Sequence, residues 1–155
     1  MNYKKLIIIL FPIVLGSCSG YEKLLKSTDY QLKYNKAFEF YTNGEYVRAA
    51  TVYEQIASIY RGTTKSDTIQ YYKAKSYYGQ GDYTMAGHYF KELANLNPNG
   101  PYSEEATYMS AYCLYKLSPR PSLDQANTFA AIDAFTLFNI IYSTSSRGRK
   151  QKPDY

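Results

Sequence analysis

Side chains able to do bond chemistry are few and scattered. His88 is the only histidine, and the two cysteines, Cys18 and Cys113, lie far apart in the chain. A metal centre needs three or four His, Cys or carboxylate ligands converging on one point, and a hydrolytic triad needs a histidine between a nucleophile and an acid. One histidine, on what reads as the outer helix of a hairpin, supplies neither and reads as a solvated surface residue. The run Tyr78-Gly79-Gln80-Gly81-Asp82-Tyr83 holds two glycines. A phosphate-cradling loop, however, follows a strand and carries a lysine for the phosphate. This run links two helices and has no lysine. Cys113, between Ala111 and Leu114, reads as a buried small apolar residue. These residues predict a protein that is not an enzyme, with no catalytic group, no metal and no cofactor other than a covalent lipid.

That lipid is expected at Cys18. Lys4 and Lys5 precede an apolar run from Leu6 to Leu15, broken only by Pro12. This is the layout of an export signal, and ten apolar residues are too few to span a bilayer, which takes about 20 in a helix. Next come Leu15-Gly16-Ser17-Cys18, which resembles the lipobox of bacterial lipoproteins. The resemblance implies that residues 1–17 are removed and that Cys18 is acylated, with palmitate-type chains on sulfur and nitrogen. At about 0.8 kcal/mol per buried CH₂, several such chains hold a protein on a membrane without a spanning helix. Residues 18–28 then form the lipidated N-terminus and spacer. With Cys18 acylated, Cys113 has no partner, so stability must come from packing. The net charge of +5 falls by two with the loss of Lys4 and Lys5. Arg147, Arg149, Lys150 and Lys152 crowd into a tail, residues 144–155, that reads as disordered. A basic tail on a near-neutral, exported body argues against nucleic acid as a partner.

The elements that must position any functional surface appear as an internal repeat. Ala37, Ala74 and Ala111 are spaced by 37 residues. Tyr34, Tyr71 and Tyr108 stand three positions before them, and Tyr41, Tyr78 and Tyr115 four positions after. Offsets of three and four mark one face of a helix. A second helix follows in each unit, with Ala49, Tyr53 and Ile56 in the first, Ala86, Phe90 and Leu93 in the second, and Ala131, Phe135 and Phe138 in the third. In the first two units Gly44 and Gly81 stand where a helix closing in the left-handed conformation wants glycine. In the third, Leu117 to Thr128 replace that tight turn, and Asp124 is positioned to cap the next helix. The small residues let helices approach closely, with Tyr46, Tyr53, Tyr83 and Phe90 filling the space opposite. The 20 tyrosines, with no tryptophan, suit a thin two-layer body in which a ring is covered and its hydroxyl reaches water.

The Gly-Asp-Tyr turn with Ala86, Phe90 and Pro98, the same set without the proline in the first unit, and Ala111, Ala131, Phe135 and Phe138 in the third together resemble the tetratricopeptide repeat. The expected fold is all-α, a right-handed superhelix of about three tetratricopeptide-like helical hairpins over residues 29–62, 66–98 and 103–143. An acylated head, a short spacer and a repeat longer than usual resemble the BamD family, lipoproteins of the outer-membrane β-barrel assembly machinery. That resemblance implies a lipid-anchored protein of the outer membrane, facing the periplasm. Its implied role is to receive unfolded β-barrel clients through their C-terminal peptides and pass them to the barrel-forming subunit BamA.

Residues on the first helices give a separate reason to expect peptide binding. Tyr34, Phe38 and Tyr41, then Tyr71, Lys75 and Tyr78, then Tyr108, Tyr112 and Tyr115 would line the concave side. Rigid rings with polar tips suit an extended peptide ending in an aromatic residue, and Lys75 could meet its terminal carboxylate. The competing reading of each ring is packing between helices. The last helix carries Phe135, Leu137, Phe138, Ile140 and Ile141 where an end cap should be polar. Either a partner covers it or the chain is a shortened form of a longer array, and shortening would bear on the BamA contact. Two other roles remain open: a scaffold for cell-wall enzymes, and a fragment of a glycan-uptake lipoprotein.

Overall fold

The computed structural model describes residues 20–120 and 123–144. The signal segment, Cys18 and the tail beyond Thr144 lie outside the described residues. A short helix, α1, covers residues 20–26. It is followed by α2 (Tyr30–Thr42), α3 (Tyr46–Ala57), α4 (Ser66–Gly79), α5 (Tyr83–Leu96), α6 (Ser103–Lys116) and α7 (Ala126–Ile141). Each helix from α2 onward packs on the next, and α2 also touches α4. The array is therefore the all-helical set of stacked hairpins that the repeat predicts. Among the described residues there is no strand, and no helix is long and apolar enough to cross a membrane.

Local chemistry sets the helix ends. Asp29 and Asp82 cap α2 and α5, accepting hydrogen bonds from the backbone of Leu32 at 2.8 Å and Met85 at 3.0 Å. Gly44 and Gly81 take φ of +77° and +81°. The N–H groups of Glu45 and Asp82 donate back to the carbonyls of Phe40 and Tyr77, closing both helices with the same left-handed turn. Asp124 does its capping from one position outside α7. Its carboxylate accepts from the N–H of Ala126 at 3.0 Å, while the N-cap residue proper is Gln125.

The six repeat alanines are buried, as close helix approach requires: Ala37, Ala74 and Ala111 on the first helices, Ala49, Ala86 and Ala131 on the second. Tyr53 and Phe90 fill the adjoining space and are fully covered. Burying such a ring contributes about 1.5–3 kcal/mol, so these two anchor their hairpins. One core cluster joins Leu24 and the first hairpin to Ile69; a second joins Tyr71, Ala74 and the second hairpin to Ala106 and Cys113. Tyr72 packs against both clusters and so bridges them.

The two glycines that flank Gln80 do different work. Gly81 supplies a backbone angle, whereas Gly79 supplies room. A Cβ on Gly79 would lie 2.6 Å from ring carbons of Tyr46. One repeat later the equivalent pair is Tyr83 and Lys116, and there the ammonium sits 5.2 Å from the ring centre. Both units use this site for a tyrosine, covered in one by bare backbone and in the other by a cation.

Candidate peptide-binding face

The first helices α2, α4 and α6 carry the nine residues singled out by the repeat, and the structure connects most of them through rings. Phe38 and Tyr41 both meet the ring of Tyr72, at 5.1 and 5.0 Å between centroids. Tyr72 in turn meets Tyr71 edge-on at 5.2 Å. Farther along, Tyr78 lies 6.3 Å from Tyr112, which stacks on Tyr108 and touches Tyr115. Tyr108 is held from behind by Phe135 and Phe138 of α7, each at 5.6 Å. Tyr34 sits against Tyr60, and the Lys65 ammonium lies over it at 4.8 Å.

These nine are not equally accessible. Phe38 and Tyr115 are 44% and 58% exposed, whereas Tyr71 is only 7% exposed. Tyr71 stacks on Tyr102 at 4.3 Å and donates its hydroxyl hydrogen to Glu105 at 2.6 Å. Burial first, and then that bond to a carboxylate, raise its pKa well above the ordinary phenol range. It stands as a wall beneath the surface. The remaining rings, Tyr34, Tyr41, Tyr78, Tyr108 and Tyr112, are partly covered. Rings that are packed on one edge and free on the other present contact area with little rotamer entropy left to lose.

Lys75, the cation expected to meet a terminal carboxylate, lies 3.9 Å from Glu105. Glu105 therefore takes both the Tyr71 hydroxyl and the Lys75 ammonium, and a peptide carboxylate would have to compete with it. Sequence reasoning passed over Glu105, Tyr72 and Tyr102. The reason is visible in the register: their equivalents in the unit before are Thr68, Asn35 and Lys65, so a search for recurring types skips them. Lys65 and Tyr102 nevertheless do one job, each standing at the head of a first helix and covering the repeat tyrosine of the unit before it, Tyr34 or Tyr71.

Outside this face the chemistry is spare. His88 is exposed, with its ring 5.2 Å from Tyr89. Cys113 is buried, and burial pushes its thiol up to about 11. Among the described residues no group of three or more His, Cys, Asp or Glu could hold a metal ion.

A model of the YfiO family, described as an outer membrane lipoprotein, matches residues 26–146. The chain belongs to the YfiO family. The match begins within α1 and runs through every hairpin to two residues past the last described one, so it takes in the whole aromatic face. This YfiO-family chain is thus placed among outer membrane lipoproteins. A search of curated proteins returned no match.

Proposed function

We propose that this lipoprotein serves outer-membrane β-barrel assembly, receiving unfolded barrel clients by their C-terminal peptides along the α2, α4 and α6 face. Cys18 carries the lipid, the array faces the periplasm, and BamA is the partner to which clients pass. The observation that carries this reading is the YfiO-family match over the same residues that build the aromatic face. The face has the chemistry the task needs: exposed rings at Phe38 and Tyr115 for an aromatic-ended strand, and Lys75 beside Glu105 for its carboxylate.

The test is titration of a synthetic peptide copying a barrel C-terminus, ending in an aromatic residue, against the detergent-solubilised full chain. Replacing Phe38 and Tyr115 together by alanine removes two exposed rings, neither of them a buried core residue. Affinity should fall about tenfold or more, as for paired aromatic anchors. Unchanged affinity in a folded double variant would place the client site elsewhere.

A further inference from the structure

The end of the array that meets the spacer differs in charge from the rest. Residues 20–36 hold four lysines against Glu22 and Asp29, whereas residues 37–144 hold eight basic side chains against ten acidic ones. The chain is therefore positive where it leaves Cys18 and slightly negative over the hairpins, an asymmetry that turns α1 toward an anionic surface. Lys23 and Lys26, three positions apart on α1, share one face, are exposed, and make no ion pair among the described residues.

The same end carries an apolar groove. Between α1 and α2 lies a cavity of about 440 Å³, walled by Tyr21, Leu24, Leu32 and Phe40 with Lys23 and Lys36 beside them. Leu32 is 42% exposed, and Gly20 lines the cavity as well. Cys18 stands two residues before Gly20, and two residues of chain reach roughly 7 Å at most. An acyl anchor at Cys18 thus brings a bilayer to the mouth of this groove.

α1 is fixed to the array and is not a loose strap. Leu24 is buried in the first core cluster. Tyr21 meets Phe40 edge-on at 5.6 Å, and the Arg48 guanidinium lies over both rings. The buried Lys33 of α2 donates to the carbonyl of Leu25 at 2.9 Å and to Gln55 of α3 at 2.8 Å, tying three helices together. Whatever α1 touches therefore orients the whole first hairpin.

We propose that the α1–α2 end face is a membrane-docking surface whose occupant is the anionic phospholipid surface that holds the anchor, with Lys23 and Lys26 against lipid phosphates and Leu32 at the interface. The lysines keep their ammoniums among the headgroups and lay their aliphatic stems along the apolar wall. Tethering supplies an effective concentration on the order of millimolar, so a patch too small to hold a free protein on a membrane stays engaged. The aromatic face then stands at a set angle to the bilayer, with the more acidic hairpins extending away from it. This inference rests on the acylation of Cys18 in the proposed function.

The test is nitroxide labelling of the full acylated chain in vesicles of phosphatidylethanolamine and phosphatidylglycerol. Cys113 is buried and Cys18 carries lipid, so a cysteine introduced at Leu32 or at Leu96, which is 68% exposed on α5, takes the label alone. The label at position 32 should be shielded several-fold from a water-soluble nickel relaxant and open to oxygen, while the label at 96 stays open to nickel. Lys23→Glu with Lys26→Glu, or vesicles of phosphatidylcholine alone, should remove the shielding at 32 with helical circular dichroism unchanged. Equal nickel access at 32 and 96 in the acylated chain would overturn the inference and leave the proposed function standing. Shielding at 32 that survives both charge reversal and neutral lipid would also overturn it, since an acyl chain of Cys18 or a protein in the groove would behave that way. Intact mass is read on the same samples, and a chain without acyl mass at Cys18 would remove the tether and with it the anchor of the proposed function.

Discussion

The hydroxyl of Tyr71 donates to Glu105 Oε1 at 2.6 Å, across the seam between the second and third hairpins. One carboxylate thereby holds a buried ring from one repeat and faces the Lys75 ammonium at 3.9 Å. Glu105 thus pairs with the Lys75 ammonium as well as tying Tyr71 across the seam. Replacing Glu105 by glutamine keeps a hydrogen-bond acceptor for Tyr71 and removes the charge that Lys75 sees. On the proposed function, affinity for a peptide with a free C-terminal carboxylate should then rise several-fold, and affinity for its amidated twin should not change. Calorimetric titration of both peptides checks this, and equal gains for the two would show that Lys75 does not read the carboxylate.

Tyr71→Phe removes the hydroxyl and leaves the stacked rings. Glu105 is partly exposed, so water can replace the lost donor, and the cost should be about 1 kcal/mol rather than the larger figure for a stranded buried charge. A urea unfolding curve with an unchanged slope and a lowered midpoint is the expected result.

Gly79→Ala places a methyl carbon 2.6 Å from the Tyr46 ring. Alanine is the better helix former by up to about 1 kcal/mol, but the clash falls at the base of the ring, where the side chain cannot swing aside alone. Net destabilisation of about 1–3 kcal/mol is expected. In a Tyr46→Ala background the same substitution should become neutral or stabilising, a non-additivity that a double-mutant cycle measures. Additive costs would mean that the ring and the glycine are not in contact in solution.

Cys113 makes stability fall with pH at the alkaline end. Its folded pKa is raised from 9.0 to about 11 by burial, so between those values the unfolded chain loses a proton that the folded chain keeps. Unfolding is therefore favoured as pH rises: the contribution is intact below pH 9 and decays toward pH 11 by roughly 2 kcal/mol. Tyr53, raised by burial, adds to the loss above its ordinary range. Urea midpoints should be flat from pH 7 to 9 and decline beyond, with Cys113→Ala shallower than the wild type near pH 10. The native thiol should also resist alkylating reagents until the chain unfolds.

Lys73 is buried beneath Tyr89, and burial lowers its pKa. Its aliphatic stem does the packing, so Lys73→Met should be neutral or mildly stabilising, by up to about 1 kcal/mol. Lys73→Glu faces Glu54 and Glu92 and should cost about 3 kcal/mol or more in thermal or urea unfolding.

Much of the fold was legible because it is local. Ala37, Ala74 and Ala111 recur at one interval, Gly44 and Gly81 stand where only a left-handed residue closes the helix, and Asp124 stands just ahead of α7. Each of these acts through backbone angles or neighbours within one turn, which a linear reading can see. The candidate face was legible only as a list of types. Tyr71 and Phe38 occupy adjoining repeats of one pattern, yet one is a buried strut and the other an open ring. The difference comes from Tyr102 and Glu105, some thirty residues on, which have no counterpart of the same type in the unit before.

The residues alone determined the helical hairpins and their number, because propensity and periodicity are properties of short stretches. Only the tertiary structure decided that Tyr72 bridges two cores, that Gly79 makes room for Tyr46, and that Lys33 ties α1 to α2 and α3. Those outcomes depend on how far apart distant side chains come to rest. That distance is set by packing volume between whole helices, which no local pattern encodes.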